Sequence, residues 1–193
     1  IREGKQRSSF ARYQYPSTIP QRIQLKMIER TRRFLKHIAF DNGPFNIEYY
    51  WESGSDAVWL LEVNTRISKS HIPLFRNVDG ATHQKVMVEL GLGVRPDFPH
   101  RQGKYNVAGK FMWRVFRDAR VKHVTSEAEL EAIHAQFPSA EIQLHIDTGQ
   151  RLSSLIDQDS YSYELAVIFL GGRNQKALLE KYRRVQDAMH IEL

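Results

Sequence analysis

Cysteine is absent from the sequence. Disulfides, a thiol nucleophile and cysteine-based metal sites are therefore excluded. Long apolar runs are absent too: none approaches the roughly 18 residues that a membrane-crossing helix needs. The first residues carry no signal-peptide pattern. Together these features suit a cytoplasmic protein with no membrane partner. No internal repeat and no low-complexity segment occurs. Acidic residues are outnumbered, 22 Asp and Glu against 28 Lys and Arg, giving a net charge of +6. The basic residues are not interleaved with aromatics in the manner of RNA-binding surfaces. The excess therefore reads as a solvated basic face, or the complement of an acidic segment, rather than a nucleic-acid surface.

What is present is 193 residues, 41% of them hydrophobic. That is enough to bury the core of one domain, or of one domain with a small appendage. The chain begins at Ile1, and polar residues crowd positions 2 to 9. It reads as a chain whose beginning lies elsewhere.

The pattern predicts an α+β fold with mainly antiparallel pairing. Pro20 opens an amphipathic helix over about 20–38, with Ile23, Met27, Phe34, Leu35 and Ile38 at helical spacing. Two strand-like runs, 45–52 and 58–64, flank Ser53-Gly54-Ser55-Asp56 and predict a hairpin. A loop is expected from Thr65 to Gly80, then a helix over about 81–92. Residues 94–104 read as a connection, dividing the chain into 1–103 and 104–193. The second part predicts strands near 106–116, 120–124, 141–146 and 161–170. It also predicts a helix opened by the Ser126-x-x-Glu129 capping box and a last helix over about 174–188. This extension is expected to pack on the hairpin part.

Side-chain alternation puts Asn46, Glu48 and Tyr50 on one face of the first hairpin strand. Leu60, Glu62 and Asn64 share a face of the second. A turn centred on Ser55 sets Glu48 across from Glu62 and Asn46 across from Asn64. Facing like charges repel, and apolar neighbours suggest partial burial, so a divalent cation is one way to neutralise them. The other is a one-residue slip that turns one glutamate to water. Spacing alone does not choose between these.

The run Phe45-Asn46-Ile47-Glu48-Tyr49-Tyr50, followed by Leu60-Leu61-Glu62-Val63-Asn64-Thr65-Arg66, resembles the ATP-grasp superfamily. Biotin carboxylase, the carbamoyl-phosphate synthase large subunit and D-alanine–D-alanine ligase are members. Ala108-Gly109-Lys110-Phe111 and Asp159-Ser160-Tyr161-Ser162-Tyr163 give a looser match to the tail of biotin-carboxylase-like members. The resemblance implies the C-terminal half of an ATP-grasp domain: an antiparallel sheet flanked by helices, with an α+β extension. It implies ATP and Mg²⁺ (or Mn²⁺) as cofactors. Glu62 would bridge two metal ions, Glu48 would ligate one and Asn64 the other. Arg66 would orient substrate or stabilise an acyl-phosphate, roles that suit a guanidinium fork. His71 would be a general base or substrate contact, although a surface loop histidine is an equal reading. Lys69 reads as solvated. His100, His123, His134 and His145 show no ligand-like spacing.

The implied reaction is ligation of a carboxylate, activated as acyl-phosphate, to an amine. A bicarbonate-activating enzyme of the biotin carboxylase or carbamoyl-phosphate synthase type is the runner-up, and a non-catalytic ATP-grasp-derived binding module is the rival. The glycine-rich phosphate loop and the phosphate-binding lysines of the superfamily have no counterpart here. The implied partners are therefore ATP, a small carboxylate and the missing N-terminal half, with room for a homodimer. The 193 residues alone are expected to be inactive.

Overall fold

The computed structural model describes residues 9–156, 158 and 161–193, without the side chain of Lys69. Asp159 and Ser160 of the looser match, and the polar residues 2–8, lie outside the described residues. Two compact units are interleaved along the chain. One comprises the stretch ending at Pro16 together with Pro73–Gly80 and His100–Leu193; the other comprises Ser17–Ile72 and Ala81–Pro99. Composition suggests one division, after residue 103. The chain instead passes between units after Pro16, Ile72, Gly80 and Pro99. The reason is that β1 (Arg12–Tyr15) pairs into, and α2 (Ile72–Asp79) packs on, a sheet whose other strands come later.

That sheet is antiparallel, in the order β1-β4-β6-β5. Its other strands are β4 (Val107–Val115), β5 (Glu141–Leu144) and β6 (Tyr163–Gly172). Residues Leu165 to Leu170 are all buried, because the sheet is covered on both sides. Ala166, Ile168 and Leu170 pack with residues of α4 (Glu127–Gln136) and α5 (Gln175–Ala188), including Ile133, Leu178 and Val185. The alternate residues Val167 and Phe169 pack with Leu74 and Val78 of α2. A continuous apolar run is what a strand buried on both faces requires. The capping box predicted for α4 is present: Ser126 accepts from the Glu129 N–H, and the Glu129 carboxylate accepts from the Ser126 N–H.

Besides β1, which the sequence reading does not expect, two elements depart from it. The stretch read as a loop, 65–80, contains a 3-10 turn at Lys69–His71 and then α2. The strand expected near 120–124 is reduced to single bridges, Arg120 to Arg151 and His123 to Glu192.

The sheet also holds a charged cluster. Arg114 and Glu164 are cross-strand partners joined at 2.6 Å, with only 17% and 14% of their side chains exposed. His145 Nδ1 lies 3.1 Å from the other Glu164 oxygen. Burial pushes the Glu164 carboxyl up, but the His145 hydrogen bond and the Arg114 charge outweigh it and hold the carboxyl below its ordinary value. A depressed folded value means the stabilisation is present above the unfolded value, about 4.3, and is lost as pH falls through the folded value. Glu164→Gln is expected to cost about 3 kcal/mol at neutral pH and to flatten the fall of Tm below about pH 4.3. Thermal melts from acid to neutral pH check this; an acid limb as steep as wild type would contradict it.

Candidate active site on the hairpin

The second unit contains α1 (Gln21–His37), α3 (His83–Gly91) and the hairpin formed by β2 (Asn46–Glu52) and β3 (Ala57–Asn64). Across the hairpin Glu48 pairs with Glu62, Ile47 with Val63 and Asn46 with Asn64. Direct cross-strand partners present their side chains on one face. Two carboxylates and two side-chain amides are thus gathered there.

This register arises differently from the expectation. Near the turn Glu52 pairs with Ala57, Trp51 with Val58, Tyr50 with Trp59 and Tyr49 with Leu60. These pairs centre the turn between Gly54 and Ser55, not on Ser55. Continued unchanged, they would set Glu48 opposite Leu61. A register shift between Glu48 and Tyr49 leaves Leu61 as the extra residue of a β-bulge and restores Glu62 to Glu48. Leu60 therefore lies opposite Tyr49, off the face of Glu62 and Asn64 on which simple alternation places it.

The turn is held by Asp56, which accepts from Arg22 at 2.8 Å and from the Trp51 indole at 3.2 Å. The Arg22 guanidinium keeps this carboxyl below its ordinary range. The covered face of the hairpin meets α1. Val58 is buried, its carbonyl accepts from Arg30, and the Thr31 and Tyr49 hydroxyls are 2.9 Å apart.

The carboxylate face is open, which corrects the expectation of partial burial. Glu48 and Glu62 are both exposed. The nearby aromatics Tyr50 and Trp59 are paired across the strands but are 55% and 60% exposed. Water screens the repulsion between the two carboxylates, and oxygen donors accessible from solvent are what a hard divalent cation takes. The donor set therefore fits magnesium.

Arg66 is exposed, two residues beyond β3, and donates to the Ile67 carbonyl at 3.3 Å. Among the described residues no hydrogen bond or ion pair joins it to Glu48 or Glu62. His71 ends the 3-10 turn, half-buried, with its N–H on the Ser68 carbonyl at 3.3 Å. His83 was not singled out by sequence. Burial lowers its pKa, opposed by a hydrogen bond to the Ser68 backbone, so the imidazole tethers the loop between Arg66 and His71. No periodicity or motif marks it. A cleft of about 630 Å³ along α1, lined by Arg30, Arg33, Phe34, Lys36 and His37, includes none of these residues.

No family model and no curated protein matches the sequence. Solved structures do match by shape. Phosphoribosylglycinamide synthetase from Anaerococcus prevotii superposes with a TM-score of 0.71 at 12% identity, over 95% of this chain and 45% of its own. L-amino acid ligase from Bacillus licheniformis gives 0.70 at 15% identity, over 95% and 44%. The biotin carboxylase domain of the Hydrogenobacter thermophilus 2-oxoglutarate carboxylase, in complex with MgADP and bicarbonate, gives 0.63 at 12% identity, over 97% and 40%. The chain has an ATP-grasp fold. It spans less than half the length of each of these three ATP-grasp structures. Among the described residues no helix is long and apolar enough to cross a membrane.

Proposed function

We propose that these residues form the Mg-ATP hairpin of an ATP-dependent ligase that activates a carboxylate as acyl-phosphate and joins it to an amine. The observation that carries the reading is the open face where Glu48 stands across from Glu62 and Asn46 across from Asn64. Glu48, Glu62 and Asn64 would hold magnesium; when bound, the ion neutralises charge on the ATP phosphates. Arg66, at the strand end, would orient the anionic carboxylate and stabilise charge on the phosphoryl group as it is transferred. His71 would contact the acceptor. The match to an L-amino acid ligase supports amine ligation. The match to a carboxylase domain in complex with MgADP and bicarbonate supports bicarbonate activation as the second reading. Contacts to adenine and to the α- and β-phosphates would come from sequence outside these 193 residues, so the chain alone would bind metal without turnover.

Mn²⁺ provides the test. It is added to the ¹⁵N-labelled chain together with ATP. The amide signals of Glu48, Glu62 and Asn64 are expected to broaden first, and Glu62→Gln to remove that selectivity. Broadening that spares the hairpin, or that is unchanged in Glu62→Gln, would overturn the assignment.

A further inference from the structure

A second ligand cluster lies on the other unit. His123, Glu129 and His190 each offer one donor atom, and the three atoms lie within 4.8 Å of one another. We infer that they form a site for a divalent transition-metal ion of the zinc class, which ties the segment after α5 to the start of α4.

Each donor is carried on backbone that is already fixed. His123 exchanges hydrogen bonds with Glu192, accepting from its N–H at 3.0 Å and donating to its carbonyl at 3.2 Å. His190 is pinned to Thr125, whose hydroxyl accepts from the His190 N–H at 2.9 Å and donates to its carbonyl at 3.2 Å. Glu129 is set by the capping box, where one carboxylate oxygen accepts from the Ser126 N–H and hydroxyl, both at 2.7 Å. The backbone that carries the three ligands is therefore held in place before any ion arrives.

The spacing is that of ligands around an ion rather than of partners in direct contact. The Glu129 oxygen that accepts from Ser126 lies 3.8 Å from His123 Nε2, and the other carboxylate oxygen lies 3.9 Å from His190 Nδ1. Both distances are too long for a hydrogen bond. Ligands around tetrahedral zinc stand about 3.4 Å apart, so small side-chain rotations close the gap. The two imidazole rings are 4.4 Å apart, centre to centre. His123 Nε2 is shielded from solvent and has no hydrogen-bond partner. An imidazole nitrogen turned inward without a partner is costly, and a metal ion would satisfy it.

Chemistry selects the class of ion. Two imidazoles and one carboxylate suit zinc, cobalt or nickel, whereas magnesium prefers oxygen donors alone. The side chains of His123, Glu129 and His190 are 41%, 40% and 64% exposed, so water can complete the coordination.

The experiment uses the untagged chain at pH 7.5 with millimolar magnesium present, and titrates Zn²⁺ calorimetrically. One equivalent is expected to bind in the micromolar range and to raise Tm. His123→Gln and His190→Gln should each weaken binding at least tenfold, whereas His134→Gln, on α4 outside the cluster, should not. In the unmutated chain, Zn²⁺ should shift the ring nitrogen signals of His123 and His190 while sparing those of His100 and His145. That measurement holds even if a variant fails to fold. Absence of stoichiometric binding, binding indifferent to both substitutions, or ring shifts at other histidines would each overturn the assignment.

Discussion

Glu62→Gln is expected to lower ATP-dependent ligation by roughly 100- to 1,000-fold in a protein that joins this chain to its ATP-holding half. Glutamine keeps the shape and one carbonyl oxygen but loses the charge. Glu48 then stands across from a neutral partner, and the proposed bridge between two cations is gone. The fold should not suffer, because removing one of two facing like charges does not weaken a hairpin. Melting within about 0.5 kcal/mol of wild type is expected, as at exposed sites generally. Asn64→Ala should act in the same direction but more weakly, and should raise the magnesium concentration needed for half-maximal rate. The readout is ADP release across a panel of carboxylates and amines at several magnesium concentrations. A Glu62→Gln rate near wild type, with unchanged magnesium dependence, would make the facing glutamates an ordinary solvated face.

The features legible in the sequence are those fixed by local chemistry. Pro20 and the apolar spacing of α1 predict a helix over 20–38, and Gln21–His37 is helical. The capping box predicts the start of α4, and the apolar run through Leu170 predicts β6. What the sequence obscures is settled by tertiary partners. The four residues Arg12–Tyr15 carry no strand signal alone; pairing with β4 makes them a strand. Pro73 argues against a helix within 65–80, yet it sits in the first turn of α2, where its missing N–H has no partner to lose. Leu74 and Val78 form its buried face, and their burial depends on Ala108, Met112, Val167 and Phe169. The hairpin is the instructive case. Alternation and a turn centred on Ser55 give the pairing of Glu48 with Glu62, but through a turn displaced by half a residue and a bulge at Leu61 that no pattern announces. His123 shows no ligand-like spacing, and His190 drew no reading at all, because the fold, not the sequence interval, brings them to Glu129.

Gly103→Ala is expected to cost about 3–5 kcal/mol, lowering Tm by about 6–20 °C. The segment around Gly103 lies against the C-terminal end of α2. Gly103 N–H donates to the Val78 carbonyl and Tyr105 N–H to the Asn77 carbonyl, both at 2.9 Å. Arg101 N–H donates to the buried Asp79 carboxylate, also at 2.9 Å. These bonds occupy groups at the end of a helix that have no partner within it. A Cβ on residue 103 would stand 2.4 Å from the Asn77 oxygen and 2.6 Å from the Val78 carbonyl carbon. Both are backbone atoms, which cannot rotate aside as a side chain can. Either the segment lifts and gives up its hydrogen bonds, or α2 shifts and pulls Leu74 and Val78 from the core. Gly91→Ala separates this from a general intolerance of substitution. Gly91 is the last residue of α3, and nothing lies within 4 Å of an added Cβ there. Alanine should hold or stabilise that helix, by up to about 1 kcal/mol. Hydrogen exchange locates the damage: Gly103→Ala should expose the amides of residues 103 and 105 while leaving those of α1 protected. Unchanged protection at 103 and 105, with a wild-type Tm, would show that the close approach to α2 is not what holds the first unit together.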